Sequence, residues 1–283
     1  MKWCVTSLAV GILVVARTAD ADDPPGSRPE DAQAVWTQLY TRQASQLRAV
    51  LDGQEKAPLA LHPQPLLNYE NPVRIYDQHG SAYVWLDAGR VAMVGAIWSG
   101  LRADLDESVR FLSREGHNLT TRALEVSLEG DSLWTCPAGE VERHRIAEAP
   151  RSQRFARLSQ MRSIAQGLDV KMHAPRSDLR LLTQPVYRYS DSAESVEDGA
   201  LFTWVMGTDP EVFALIEAFE DHFELVVARF TNEVISIRRD GQEIYRCGYI
   251  DSLTNRGPYW LAPHIEVMPL SPSEAAVSGR TSP

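Results

Sequence analysis

The chain has 283 residues, a formal net charge of −10 at pH 7 and 44% hydrophobic residues. This length allows a large buried core, either in one unit or in two smaller ones. The acidity argues against nucleic-acid binding, which depends on cationic neutralisation of phosphates, and against adhesion to an anionic membrane surface.

Residues 1–21 have the pattern of a signal peptide. Lys2 supplies a positive charge, residues 3–16 form an apolar run, and Ala-Asp-Ala at 19–21 fits a small-x-small cleavage site. The run is shorter than a membrane-spanning helix, although a retained N-terminal anchor is the alternative. We predict cleavage after Ala21, export to the periplasm or the extracellular space, and no transmembrane anchor.

Residues 22–68 predict an N-terminal helix followed by a Pro-rich linker. Apolar side chains recur at helical spacing from Pro29 to Leu51, and Gly53 can end the helix. The prolines between residues 54 and 68 then indicate a linker rather than a further element.

Residues 69–139 predict a first β repeat. Gly80–Leu86 and Val91–Trp98 have the composition of strands, and the Asp-Ala-Gly-Arg sequence between them predicts a turn. Residues 101–115 fit both a helix and a strand, and we predict a strand for the second half of this segment.

Residues 140–178 predict a bridging helix, which spans Gln153–Leu168. Its apolar side chains lie on one face. Arg154, Arg157 and Arg162 lie off that face, so we predict that they are exposed to solvent.

Residues 179–262 predict a second β repeat. Within it, residues 211–218 fit either a helix or a strand, and we favour a hairpin whose turn lies at Thr208–Glu211. Residues 263–283 lack the pattern of a core and predict a disordered tail.

Matching residues in the two repeats indicate an internal duplication. Gly80, Trp85 and Ile97 recur 119 positions later as Gly199, Trp204 and Ile216, and Gly130 and Cys136 recur 111 positions later as Gly241 and Cys247. Asp-Gly at 240–241 predicts a two-residue type I′ turn that pairs Ile237 with Ile244. The sequence therefore predicts a mainly β (α+β) fold: two related antiparallel β-meanders of about five strands each, with an N-terminal helix and an inter-repeat helix.

Cys136 and Cys247 are the two cysteines that remain after cleavage of the signal peptide. They occupy matching positions of the two repeats, and an exported protein folds in an oxidising compartment. The sequence leaves two states open for them, a disulfide between the two residues and two separate buried thiols.

Sequence motifs do not identify a reaction. Residues 130–133 spell Gly-Asp-Ser-Leu, as in one family of esterases, but Ser132 falls at a predicted hairpin tip and no Asp-x-x-His follows near the C-terminus. The seven histidines lack the close spacing of a metal-binding helix or ribbon, so we predict no metal and no cofactor. His79 and His117 could still converge with Asp77 or Glu115 at one sheet edge.

Four aromatic residues, Trp98, Trp134, Tyr259 and Trp260, are the candidate binding residues. They could form a surface on which a sugar or a peptide stacks, although tryptophan at a strand end is more often part of a core.

Two segments carry a resemblance to a known family. Leu181–Tyr189 reads LLTQPVYRY, and Asp198–Ala218 contains DGALF and GTDPE. With the corresponding part of the first repeat, this pattern covers most of residues 65–250 and resembles a family of exported bacterial proteins of unknown function. The resemblance implies export and one shared fold, and it implies no activity, cofactor or catalytic residue.

Two functions of different classes follow from the sequence. The first is a non-catalytic binding or structural protein of the cell envelope or the extracellular space, with a small molecule, a glycan or a protein as its partner. The alternative is a hydrolase whose histidines and acids converge in the groove between the two repeats. A shifted pKa in a concave pocket would favour the enzyme, and an apolar or aromatic surface would favour the binding protein.

Overall fold

A computed structural model describes residues 29–52, 57–71, 77–102, 109–173, 176–191, 195–250 and 257–269 of the chain. Antiparallel strands dominate these residues and two helices accompany them, which confirms the mainly β (α+β) prediction. The N-terminal residues that carry the predicted signal peptide lie outside the described part. None of the helices in the described ranges has the length and apolar character needed to cross a membrane.

The first half of the molecule contains one helix and eight strands: α1 (Pro29–Gln46), β1 (Leu47–Leu51), β2 (Ala60–Leu61), β3 (Leu67–Asn71), β4 (Asp77–Asp87), β5 (Arg90–Arg102), β6 (Val109–Asn118), β7 (Leu124–Leu128) and β8 (Asp131–Cys136). In this half, β2 to β6 belong to a large sheet, whereas β1, β7 and β8 form a small separate sheet.

A short strand, β9 (His144–Ile146), follows the first half. The second half then repeats the order of a helix followed by strands: α2 (Arg154–Gln166), β10 (Leu168–His173), β11 (Arg176–Asp178), β12 (Arg180–Leu181), β13 (Tyr187–Asp191), β14 (Val196–Met206), β15 (Asp209–Ala218), β16 (Phe223–Arg229), β17 (Ile235–Arg239) and β18 (Gln242–Cys247). The last strand is β19 (Tyr259–Pro269). Here β12 to β16 belong to a large sheet, and β10, β11, β17 and β18 form the small one.

Backbone hydrogen bonds recur at matching places in the two halves. Leu119 N–H donates to Ala92 O as Phe230 N–H donates to Glu211 O, and Asp52 N–H donates to Ala123 O as His173 N–H donates to Val234 O. The central strand pairs keep the spacing seen in the sequence, since β4 pairs Gly80 with Trp98 and β14 pairs Gly199 with Glu217. Each repeat therefore includes the helix and the first strand that precede residues 69 and 179.

The molecule is layered, with three cores. The central core lies between the two large sheets and takes side chains from both, for example Val84 and Leu215. One outer core lies beneath α1 and contains Tyr83 and Trp85, and the other lies beneath α2. Because successive strand residues point to opposite faces, the inner strands are apolar along their whole length rather than alternating with polar residues.

The two halves exchange their last strands. β9 follows the first half but pairs with β16 of the second, and β19 follows the second half but pairs with β6 of the first. β19 includes residues 263–269, so the predicted disordered tail does not begin at residue 263. Each large sheet is thus completed by a strand from the other half.

The chain leaves each large sheet through a loop that is fixed by a polar side chain. In the first half, the Asn118 side chain accepts from Thr120 N–H and donates to Arg122 O. At the matching position, Arg229 donates to three backbone carbonyls, those of Thr231, Glu233 and Gly248. These loops carry the following hairpin into the small sheet instead of letting it continue the meander.

The hairpins have the predicted turns but a different register. Asp240 and Gly241 both have positive φ, as a type I′ turn requires. Ile237 pairs with Tyr245 rather than with Ile244, because the register shifts after Ile237. Residues 211–218 are strand, as favoured, and the turn before them lies at Gly207 and Thr208, slightly earlier than predicted.

The helices are shorter and one is more buried than predicted. α1 ends at Gln46, and residues 47–51 form a strand that pairs with β7. α2 ends at Gln166 with Gly167 as its C-cap, slightly before the predicted end at Leu168. Arg157 is buried, and its guanidinium contacts the carboxylate of Asp198. The prediction that Arg157 is exposed to solvent is therefore wrong.

Cys136 and Cys247 are both free thiols, so of the two states that the sequence leaves open the disulfide is not the one formed. Cys136 packs into the outer core beneath α1, whereas Cys247 packs against the one beneath α2. The duplication places the two residues at equivalent positions of two different cores, which keeps them apart.

A tyrosine ring covers a glycine at the same place in each half. A Cβ atom on Gly80 would lie 2.6 Å from the ring of Tyr69, and one on Gly199 would meet the ring of Tyr189. Real Cβ atoms do not approach other atoms this closely, so the tyrosine needs glycine opposite it on the neighbouring strand.

We expect Gly199→Ala to lower the free energy of unfolding by about 1–3 kcal/mol, because the added methyl group must displace the Tyr189 ring from a packed position. Chemical denaturation of the purified protein measures this loss. Gly248→Ala is the matched control, since a Cβ there meets nothing within 4 Å. Equal stabilities of the two variants would contradict the packing argument.

Candidate functional site

The four aromatic residues predicted to form a stacking surface are core residues. Trp134, Tyr259 and Trp260 are at most 5% exposed. The rings of Trp134 and Trp260 pack together with their centroids 6.3 Å apart, and Trp98 packs against the central core. The prediction of a surface platform is therefore wrong.

His79 and His117 lie on different strands of the first large sheet, β4 and β6, and have different surroundings. His79 lies beneath α1, where its Nδ1 is 2.9 Å from the Tyr40 hydroxyl. His117 lies near the end of β6 and is buried. Glu115, one of the two acids that could converge with them, accepts a hydrogen bond of 2.6 Å from the Tyr259 hydroxyl, and the side chain of the other, Asp77, lies outside the described part of the structure.

His117 lines a pocket of about 370 Å³ at the junction of the two halves. The pocket walls come from β6 of the first half, from β16 and the β17–β18 hairpin of the second, and from the segments that precede β9 and β19. The lining includes His117, Glu140, Glu142, Val227, Glu243 and Tyr245.

The hydrogen bonding of His117 determines its tautomer. Its Nδ1 lies 2.6 Å from the carbonyl oxygen of Asn118, and a carbonyl can only accept, so Nδ1 carries the proton. Nε2 then carries a lone pair in the neutral ring. It is buried and has no hydrogen-bond partner within the described residues.

Burial lowers the pKa of His117 to about 3, a net value in which the Asn118 carbonyl opposes the shift and the nearby positive charge of Arg229 adds to it. The ring is therefore neutral near pH 7, and Nε2 is an acceptor. A buried acceptor without a partner is costly in a folded protein, so this atom needs a donor from water or from a ligand.

Carboxylates surround the pocket. Glu140 and Glu142 are exposed on the segment that leads to β9, and Glu243 lies on the β18 side, where its carboxylate pairs with Arg246 at 2.7 Å. Val141, Val227 and Ile244 supply apolar surface between them. The arrangement suits a molecule that carries a positive charge or several hydrogen-bond donors on a short apolar body.

A second junction between the halves is centred on the buried carboxylate of Glu217, on β15. Arg90 of the first half donates to both of its oxygens at 2.7 and 2.8 Å, and Arg143 donates to one of them at 2.7 Å. The Tyr189 hydroxyl also donates to this carboxylate.

The crevice beside Glu217, of about 380 Å³, is lined by three arginines, Arg90, Arg122 and Arg143. Each of them already pairs with acidic groups of the protein: Arg122 contacts Asp87 at 3.0 Å, and Arg143 contacts Glu224 at 2.9 Å as well as Glu217. The pairs with Glu217 and Glu224 hold the two halves together, and because all three arginines are already paired, the crevice does not have the free cations of an anion site.

The duplication places a counterpart of this crevice on the other side of the molecule, where Asp209 stands at the position of Arg90. Asp209 accepts from the side chains of Asn71 and Gln78 of the first half. The counterpart is nearly filled, with a volume of about 30 Å³, and Tyr259 is among the residues that line it.

Sequence reasoning named His117 but not its setting. The residue types in the pocket come from five separate segments, and no spacing in the chain brings them together. Sequence reasoning also missed the charged clusters around Glu217 and Asp198, because the residue type alone does not show whether a carboxylate is buried or exposed.

No family model matches this chain. Searches of curated proteins and of solved structures found no match either. The resemblance to a family of exported bacterial proteins therefore stays a prediction, and so does the signal peptide.

Proposed function

We propose that this protein is an exported, non-catalytic binding protein that holds a donor-bearing, positively charged small ligand in the His117 pocket. Export rests on the signal-peptide pattern of residues 1–21. The observation that carries the binding site is the buried Nε2 of His117, an acceptor without a partner among the described residues, on a side chain that lines a pocket between the two halves.

The size and composition of the pocket support a small ligand. Its volume of about 370 Å³ lies within the range of ligand-binding pockets, and its mainly polar lining also contains the apolar side chains of Val141, Val227 and Ile244. The carboxylates of Glu140, Glu142 and Glu243 favour a cation, and the acidity of the whole chain attracts cations to its surface.

Binding suits the chemistry of the pocket better than hydrolysis does. A general base works best when its pKa lies near the working pH, and the pKa of His117 is lowered to about 3 by burial. Such an imidazole accepts a hydrogen bond but takes up a proton poorly. Metal-assisted hydrolysis has no support in the described ranges, where no group of His, Cys, Asp and Glu side chains could hold a metal ion.

The test is a calorimetric titration of the purified protein with three probes: 1,4-diaminobutane, D-glucose and succinate. We expect 1,4-diaminobutane to bind most tightly, because it is the cation of the three. We expect His117→Met to weaken that binding about tenfold or more, since it removes the acceptor, and His117→Gln to retain part of it.

The rim is tested with matched carboxylates. The double variant Glu140→Gln and Glu142→Gln should weaken the binding of 1,4-diaminobutane, whereas Glu125→Gln, on an exposed position of β7, should leave it unchanged. Circular dichroism checks that each variant is folded. The proposal would be refuted if succinate bound more tightly than the diamine, or if the affinity for the diamine were unchanged in both His117 variants.

A further inference from the structure

The two exchanged strands, β9 and β19, differ in length, and the pairing of the shorter one, β9, ends beside the His117 pocket. β19 pairs with β6 as far as Tyr259, which lies opposite His117. β9 pairs with β16 over three residues only, and the pairing ends where His144 lies opposite Leu225. The spacing of 111 residues that relates β6 to β16 makes Ala228 the counterpart of His117. The end of β16 therefore lacks the neighbour that β19 gives to β6.

The open edge of β16 presents backbone groups at Val227. Phe230 N–H donates to Glu211 O, so Phe230 faces β15. Successive residues of a strand direct their backbone groups to opposite sides, and the β15–β16 ladder has no register shift. Val227 therefore faces away from β15, as Leu225 does where it pairs with His144.

Val227 also lines the His117 pocket. Beyond the last pair of β9, its N–H and C=O have no hydrogen-bond partner in the part of the chain that the structure describes. A free donor and a free acceptor on one residue at a sheet edge are the groups with which an extended chain pairs.

We propose that the ligand of this pocket is an extended peptide, which pairs with Val227 as a short added strand and places its free amino terminus among the carboxylates of Glu140, Glu142 and Glu243. This inference rests on the proposed function, because it uses the same pocket and names the class of ligand. The occupant of the matching edge is part of the molecule itself, since Tyr259–Leu261 pair with residues 115–117 of β6, whose counterparts on β16, residues 226–228, lie beyond the last pair with β9.

Charge complementarity favours a free amino terminus over an acidic or blocked one. Arg246 is paired with Glu243, which leaves the carboxylates of Glu140 and Glu142 as the excess charge at the pocket. The walls formed by Val141, Ile244 and Tyr245 suit short apolar side chains. Backbone pairing supplies affinity in such complexes, and the pockets beside the edge supply selectivity.

The probe is tetra-alanine amide, titrated into the full-length protein by calorimetry. We expect it to bind more tightly than 1,4-diaminobutane, and we expect acetylation of its amino terminus to weaken the binding about tenfold. Two further probes carry an N-methyl group at the second or at the third residue. The N–H groups of neighbouring residues in a strand point in opposite directions, so one isomer should lose about tenfold in affinity and the other should bind like the parent.

Val227→Pro removes the outward N–H of Val227 from the protein and should weaken tetra-alanine amide about tenfold, whereas Val227→Ile should not. The N-methyl isomers decide the question if the proline variant does not fold. If the diamine binds through His117 while the peptide binds no more tightly and both N-methyl isomers behave alike, the strand proposal is overturned and the proposed function stands. If no probe binds, or none depends on His117, both are overturned.

Discussion

Replacing Glu217 by Gln should lower the free energy of unfolding by about 3–5 kcal/mol, because it removes the charge that two arginines share at the junction of the halves. The Glu217 side chain is 1% exposed, and Arg90 and Arg143 both donate to it. An amide offers a donor to these guanidinium groups in place of an acceptor. Denaturant unfolding followed by tryptophan fluorescence measures the loss.

Glu224→Gln is the control for this variant. Glu224 lies opposite Glu217 on the neighbouring strand and pairs with the same Arg143, but its side chain is 26% exposed. Ion pairs that are open to water contribute less, so we expect a change of about 1 kcal/mol or below. Similar losses in the two variants would mean that burial at Glu217 does not matter to stability.

The contribution of Glu217 should also depend on pH. Burial alone would raise its pKa, but the hydrogen bond from Arg90, the charges of Arg143 and Arg90, and the hydrogen bond from Tyr189 lower it below the ordinary value of 4.5. The stability that the ionised group supplies is therefore present above that ordinary value and is lost as the pH falls through the lower pKa. The stability difference between the wild type and Glu217→Gln should shrink on acidification.

Replacing Asp198 by Ala should have an effect of comparable size, about 3–5 kcal/mol, but on the α2 side of the molecule. The Asp198 side chain is fully buried, where Arg188 donates to both of its oxygens and the guanidinium of Arg157 lies 3.4 Å away. Arg157 belongs to α2, so this carboxylate attaches the helix to the second large sheet. Hydrogen exchange should show faster opening of α2 in the variant.

Glu197 provides the matched control for Asp198, because it is the preceding residue and also contacts Arg157, at 3.4 Å, but its side chain is 45% exposed. We expect Glu197→Ala to change the free energy of unfolding by about 1 kcal/mol or less. At the position of Asp198, the first half has His79, which packs against Trp36 and Tyr40 of α1. Hydrogen exchange of α1 should therefore be unchanged, and equal acceleration in both helices would contradict a local attachment.

The sequence was sufficient for the parts of the fold that depend on local pattern. Positive-φ turns such as Asp240-Gly241 and the apolar strands around Trp85 and Trp204 follow from residue type and period. The duplication could also be recognised from the sequence. Gly80 and Gly199 lie beneath tyrosine rings and cannot be replaced without a loss of stability, so both copies have glycine at this position.

Other features depend on contacts between distant segments, and the sequence does not encode them locally. A two-residue turn alone would pair Ile237 with Ile244, but the register shift after Ile237 makes Tyr245 its partner. The burial of Arg157 depends on Asp198, which lies 41 residues away. The exchange of β9 and β19 depends on the path of each connecting segment, and a three-residue strand such as β9 has no recognisable pattern.

The exchange of β9 and β19 has a mechanical consequence. Each half holds a strand of the other by ladder hydrogen bonds, and the large sheets also share the central core. Swinging the halves apart about a hinge would break both ladders at once, so the two halves cannot separate as rigid bodies. A molecule that enters the His117 pocket would pass the exposed side chains of Glu140 and Glu142 or the tip of the β17–β18 hairpin, while the two large sheets stay together.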